Sequence, residues 1–143
     1  MAVRELHMPS DLRAAHSVVV QLRPHLDADA FVAAADRQRA EGYRAVVEAE
    51  GRIVAYTGFR LLTTLAWGKV LYVDDLVTDA DVRLAGHGKE LLDWLKAEAA
   101  RLGCDELHLD SGHQRKDAHR FYHREGLADV ALHFARPVVK LPP

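Results

Sequence analysis

The chain has 143 residues, a formal net charge of −2 with its nine histidines neutral, 49% hydrophobic residues and 28% charged ones. One domain of this size buries roughly two thirds of its unfolded surface, enough for a core without staples. Three classes are excluded: the charge leaves no basic footprint for nucleic acid, one cysteine (Cys104) forms no intrachain disulfide, and no stretch approaches the ~20 apolar residues that span a bilayer. The N-terminus has no apolar run of the signal-sequence kind. The expectation is a single domain over residues 1–143 in a reducing, cytoplasmic compartment.

In chain order, Val3–His7 reads as a short strand. Pro9-Ser10-Asp11 is a helix-start signal, and the helix that follows places Leu12, Ala15, Val19 and Leu22 on one side. Pro24 should end it, because the residue before a proline is pushed away from helical geometry. A second helix runs from Ala30 to about Glu41, with Asp27 and Asp29 at its start and Gly42 at its stop. Tyr43–Glu50 and Ile53–Leu62 alternate as strands around a Gly51-Arg52 turn, and Lys69–Thr78 is a third strand after the loop Thr63–Gly68. A central helix covers about Gly86–Leu102, with apolar residues at Leu91, Leu92, Leu95, Ala99 and Leu102. Cys104–Asp110 is a strand, Lys116–Glu125 a helix closed by Gly126, and Val130–Lys140 a last strand, bent or at an edge because of Pro137. The predicted order is β–α–α–β–β–β–α–β–α–β, a mixed α/β fold.

The stretch before the central helix carries the clearest chemistry. A strand feeding a glycine-containing turn feeding a helix presents unpaired backbone N–H groups and a positive dipole end, which suits phosphate. It is not a P-loop: the first glycine of G-x-x-x-x-G-K-[ST] is replaced by Arg83, and Glu90 stands where Ser or Thr is needed. It is not a dinucleotide fingerprint either, because Leu91 occupies the third glycine position of G-x-G-x-x-G. What remains is R-x-x-G-x-G-K, Arg83 to Lys89. The alternative is a plain turn whose glycines serve only the chain reversal.

Arg83–Lys89 resembles the pyrophosphate-binding signature of the GNAT superfamily of N-acetyltransferases. The resemblance extends to the element order and to Ala118–Leu127, AHRFYHREGL, which is similar to the family's A-x-x-F-Y-x-x-x-G-F segment with Leu127 in place of Phe. It implies a GNAT-like fold that binds acetyl-CoA through Leu76, Val77, Thr78, Arg83, Leu84, Ala85, Gly86, His87, Gly88 and Lys89. It also implies that Tyr122 lies near the coenzyme's sulfur and protonates the departing thiolate. Where the family often has an asparagine contacting the coenzyme, this chain has Arg115, which could reach a phosphate instead. Ser111 and Gly112 would be neighbours of coenzyme or substrate. Taken without the resemblance, Phe121 and Tyr122 read as a helix-packing pair.

Asp74 and Asp75 stand inside an otherwise apolar strand. Adjacent strand residues point to opposite faces, so one should face a cleft unless a bulge intervenes. Either carboxylate could receive a cationic amine and remove its proton, since an amine of pKa ~10.4 is mostly protonated at neutral pH. Either could instead form a salt bridge to an arginine or lysine. The pair resembles the acidic dipeptide of the spermidine/spermine acetyltransferases, which implies Asp74 as base and Asp75 as its partner. The implied reaction is direct attack in a ternary complex, with backbone N–H groups near Leu76–Thr78 polarising the thioester, on a small-molecule primary amine.

No metal is expected. His119 and His123 share a helix face but lack a third ligand in the sequence, and Cys104 reads as core at the start of a buried strand. Two alternatives stay open: a catalytically silent acyl-CoA-binding module, and acetylation of a protein amine. The resemblance implies that acceptor choice falls to about Leu22–Phe31 and to the C-terminal strand, and that the edge ending in Val138-Val139 could serve a homodimer.

Overall fold

The structure, a computed structural model, describes residues 2–83 and 85–143. It divides into two compact units, Met1–Leu109 and Asp110–Pro143. The first contains β1 (Ala2–Leu6), α1 (Pro9–Ala14), α2 (His16–Leu22), α3 (Ala28–Arg39), β2 (Arg44–Glu50), β3 (Arg52–Thr64), β4 (Gly68–Thr78), a short 3-10 turn (Ala80–Val82), α4 (His87–Arg101) and β5 (Glu106–Leu109). The second contains α5 (Lys116–Arg124).

The strands form one mixed sheet in the order β1-β2-β3-β4-β5. The first four are antiparallel neighbours, and β5 joins β4 in parallel, Val70–Val73 against Glu106–Leu109. The crossover from β4 to β5 carries α4, as parallel pairing requires. Leu91, Leu92 and Leu95 of α4 are fully buried, and Ala99 nearly so. Leu12, Ala15, Val18 and Val19 join Phe31, Tyr43, Val47, Tyr56 and Val77 in the cluster under α1–α3. A Leu or Phe placed there contributes about 1.5–3 kcal/mol each.

The expected first helix is broken once. Ala15 ends α1 and begins α2, yet the buried face runs on through it. Asp27 caps α3 by accepting from the Ala30 amide at 2.8 Å, so this helix begins two residues earlier than its apolar pattern indicates. Pro24 acts as expected: Arg23 leaves helical geometry at φ −120°, ψ 68°.

The last expected strand is not formed. Residues 127–143 hold no strand, and Val130, Leu132, Phe134, Val138, Val139 and Leu141 are exposed. The alternation at Val130, Leu132 and Phe134 satisfies the local pattern of a strand. A strand also needs a hydrogen-bonded neighbour, and Pro137 lacks the N–H to contribute to one. Cys104 is half-buried and precedes β5, whose residues are only partly covered. It is therefore not the core residue at a strand start that its sequence position indicates.

Candidate active site

The loop into α4 is built from backbone. Gly86 caps the helix with φ +89°, ψ 6°, a left-handed conformation that a side chain strains. No side chain caps this end, and the first helical bond runs from the Glu90 amide to the Gly86 carbonyl at 3.0 Å. The amides of His87, Gly88 and Lys89 therefore precede the helical ladder, where an anion is favoured. Arg83, Ala85 and Gly86 are exposed. Lys89 reaches Asp93 at 3.0 Å. Leu84 lies outside the described residues.

The base of this loop is anchored by Asp79, which the sequence does not single out. Its carboxylate accepts from the Asp81 amide (3.0 Å), from Arg52 Nη1 (2.5 Å) and from Gln21 Nε2 (3.3 Å). Its backbone N–H donates to the Val54 carbonyl at 2.8 Å. The Asp81 amide, and then Arg52, hold the Asp79 carboxyl down at about 2.

His87 departs from the expected role beside the coenzyme. Its ring is turned inward, 3% exposed, with Nδ1 3.3 Å from the fully buried Glu48 carboxylate and Nε2 3.5 Å from Glu50. Among the described residues, neither Glu48 oxygen has a well-formed hydrogen bond. Burial first, and then neighbouring Glu90, push the Glu48 carboxyl up, while His87 opposes the shift. What His87 offers an anion is its backbone N–H.

On the face of the sheet that carries α1–α3, β4 is irregular. Gly58 pairs with Asp75 and Phe59 pairs with Val73, so Asp74 is an extra residue without a partner on β3. This bulge cancels the alternation that would send adjacent side chains to opposite faces. Asp74 and Asp75 consequently line the same pocket, a cavity of about 410 Å³ shared with Arg23, His25, Phe31, Gln38, Tyr43 and Tyr56. The irregularity sits at Asp74, and Leu76, Val77 and Thr78 pair regularly with Thr57, Tyr56 and Ala55. On the other side of β4, pairing with β5 stops at Val73, so among the described residues 74–78 have no strand neighbour there.

The two carboxylates are held differently. Both oxygens of Asp74 accept from Arg60, through Nε and Nη2 at 2.8 Å each. This two-pronged pair fills the carboxylate edge. Asp75 is divided: Oδ2 accepts from the Tyr43 hydroxyl at 2.7 Å, and Oδ1 accepts from Arg23 Nε at 2.9 Å. Arg23 also donates through Nη2 to the Asp74 carbonyl at 3.0 Å. Tyr43 is buried and lies 2.8 Å from the Tyr56 hydroxyl. Burial, then Tyr56 and Asp75, push the Tyr43 hydroxyl well up, and burial does the same to Tyr56. Both phenols therefore keep their protons as donors.

Gly58 makes this arrangement possible. A Cβ built there would lie 1.6 Å from the Tyr43 oxygen, so only glycine lets that phenol lie on the sheet. None of Arg23, Tyr43, Tyr56, Gly58 and Arg60 was singled out from sequence. Both aspartates do form the arginine salt bridges that were their alternative reading, while also facing a cavity.

In the second unit, Tyr122 is 8% exposed on α5, its ring 5.4 Å from Phe121. Burial raises its hydroxyl above the ordinary phenol value, and nearby Arg115 opposes the shift. Arg115 stands at the N-terminal cap of α5 and is exposed. The Ser111 hydroxyl is buried and has no hydrogen bond among the described residues, and Gly112 is exposed. His119 meets the Gly112 carbonyl at 2.8 Å, and His123 meets Asp129 at 3.0 Å, so the two rings turn to separate partners.

The site thus combines a bulged strand, a left-handed glycine and a helix N-terminus that no side chain caps among the described residues. The acetyltransferase (GNAT) family matches residues 3–127. The chain belongs to the GNAT acetyltransferase family. An uncharacterized N-acetyltransferase of Bacillus subtilis, YhdJ, is 30% identical over 139 residues, covering 95% of this chain and 98% of that protein. The aminoalkylphosphonate N-acetyltransferase of Salmonella typhimurium is 34% identical over 64 residues, covering 45% of this chain and 42% of that protein. The crystal structure of a Trypanosoma brucei acetyltransferase superposes with a TM-score of 0.77 at 26% identity, covering 96% of this chain and 99% of that one. The mixed five-strand sheet is thus the GNAT fold.

Proposed function

We propose that this GNAT protein transfers the acetyl group of acetyl-CoA to the primary amine of a small molecule. The observation that carries this reading is that one unit holds both a left-handed glycine at the start of α4, in the loop that follows β4, and a cavity lined by Asp74 and Asp75 of β4. The loop amides, with Arg83 and Lys89 nearby, receive the pyrophosphate; Ala85 belongs to the same loop. The stretch of β4 that continues beyond β5, Leu76–Thr78, offers backbone groups to the acetyl end, where an N–H polarises the thioester carbonyl. Arg115 adds charge for a coenzyme phosphate. No metal takes part.

The acceptor enters the cavity as an ammonium. Asp75 is the carboxylate that meets it, because its two oxygens are held separately, by Arg23 and Tyr43, whereas both of Asp74's are bound by the one two-pronged Arg60. The ammonium first gives one proton to Asp75, and through it to solvent, which frees the nitrogen lone pair. The nitrogen attacks the carbonyl carbon and the N–C bond forms; the nitrogen, now acidic, loses a second proton to water as the C–S bond breaks, and the departing thiolate takes up a proton. Tyr122 is assigned as that proton donor on its A-x-x-F-Y motif. Burial keeps its hydroxyl protonated, so the proton is present to be donated. The whole chain acts as one catalytic domain.

Thiol release from acetyl-CoA in the presence of amines tests the reading. Tyr122→Phe should lower turnover by roughly 10²-fold or more with coenzyme affinity nearly intact. Unchanged turnover removes Tyr122 from the chemistry. Coenzyme binding with no turnover on any amine would favour a silent acyl-CoA-binding module or a protein acceptor.

A further inference from the structure

The acidic pair on its own suggests a slot for a polycation. The surroundings speak against that. Each carboxylate already holds an arginine: Asp74 is neutralised in two-pronged fashion by Arg60, and Asp75 by Arg23. A second ammonium would find no unpaired carboxylate waiting in the cavity lining. His25, the other ionisable base there, adds no negative charge.

The two halves of the Asp75 contact differ in how readily they exchange. Oδ2 is held by Tyr43, whose side chain is buried, backed by Tyr56 and seated over Gly58. Oδ1 is held by Arg23, whose side chain is 40% exposed and which sits at the end of α2 just before Pro24. An ammonium entering the cavity can replace Arg23 at Oδ1 without disturbing Tyr43. Arg23 then keeps only its bond to the Asp74 carbonyl. Its guanidinium, 40% exposed, then lacks a carboxylate partner. An acceptor carrying its own anionic group replaces that partner with a charge-assisted pair on Arg23, in a cavity that His25 also lines. A neutral-tailed amine leaves the lost pair unreplaced.

We propose that Arg23 determines acceptor specificity by ion-pair exchange, and that the acceptor is a short amine bearing a carboxylate or phosphonate. The amine takes Asp75 from Arg23, and the acid takes Arg23 from Asp75. The inference rests on the acetyltransferase reading above. The 410 Å³ cavity admits such a molecule, and the planar fork of arginine matches either oxyanion.

The test is thiol release from acetyl-CoA by the full chain with four acceptors of similar length: aminoethylphosphonate, β-alanine, propylamine and diaminopropane. The expected result is a kcat/KM at least tenfold higher for one or both acidic amines than for the other two. Arg23→Gln should reduce that preference at least tenfold, through KM, and Arg23→Lys should restore part of it. The ratio of the two acidic amines tells phosphonate from carboxylate. Propylamine or diaminopropane acting as well as the acidic pair in the wild type overturns the inference and leaves the acetyltransferase reading standing. A preference that survives intact in Arg23→Gln overturns Arg23's role. Thiol release from none of the four also overturns the inference, and titration with acetyl-CoA then shows whether the broader reading falls with it. The wild-type panel decides even where a variant does not fold.

Discussion

The loop before α4 and the cavity under the β4 bulge are made in opposite ways. The loop is assembled from consecutive residues, Arg83 to Lys89, and its donors are main-chain amides released by one left-handed glycine. The cavity is assembled from side chains of five separate segments, namely Arg23 after α2, Phe31 and Gln38 on α3, Tyr43 before β2, Tyr56 on β3 and Asp74-Asp75 on β4. A backbone site tolerates change in most of its side chains and fails when the turn fails. A side-chain site fails piecemeal, each substitution altering one contact. Coenzyme binding and acceptor handling should therefore separate under mutation.

The largest expected effect lies in the cavity. Asp75→Asn keeps the shape and removes the charge that receives the ammonium. Turnover should fall by about 10²-fold or more, while acetyl-CoA affinity measured by calorimetry stays within a small factor. A parallel loss of coenzyme affinity would break the separation. Next comes the loop. Gly86→Val places a branched side chain at φ +89°, a strain of roughly 1–3 kcal/mol. Each 1.4 kcal/mol is about tenfold in affinity, so acetyl-CoA binding should weaken by about tenfold or more in a folded protein. Undiminished affinity would remove the loop from the coenzyme site.

A smaller effect sharpens the role of the tyrosines. Gly58→Ala must displace Tyr43 from the sheet, because its Cβ would lie 1.6 Å from the phenol oxygen. Overpacking of this kind costs roughly 1–3 kcal/mol. The Tm should drop by several degrees and acceptor kcat/KM should fall, with coenzyme affinity unaffected. Unchanged acceptor kinetics would mean that Tyr43 does not set the position of Asp75.

The smallest effect concerns the frame behind both sites. Glu98 of α4 accepts from Arg101 and from Arg44 of β2. Arg101, together with Arg44, holds its carboxyl at about 2 against an ordinary 4.5. A folded-state value below the unfolded one adds stability that is complete above the unfolded value and is lost as pH falls through the folded one. Glu98→Gln should therefore lower Tm at neutral pH and flatten its decline between about pH 4.5 and 2. Identical acid profiles would show that this pair does not tie α4 to the sheet.

The contrast also explains what the sequence disclosed. Gly86 and Gly88 were legible because a turn and a helix start are written in adjacent residues. The element order followed from apolar spacing, such as Leu91, Leu92, Leu95 and Ala99 on α4. Asp74 and Asp75 stood out as acids in an apolar strand, but nothing local announced the bulge that turns both to one face. Their partners Arg23, Tyr43 and Arg60 lie on other elements, and Gly58 matters only because Tyr43 crosses it. Val130, Leu132 and Phe134 gave the opposite error: the alternation is local, and the neighbour a strand requires is not. His87 misled for a similar reason, since its buried contact is Glu48 on a distant strand.

The most direct test of the account is calorimetric titration of the full chain with acetyl-CoA. Saturable binding at micromolar concentration, accompanied by a rise in Tm with ligand, is the predicted result. No saturable heat and no change in Tm would contradict it, because the loop at Gly86–Lys89 would then have no pyrophosphate to hold.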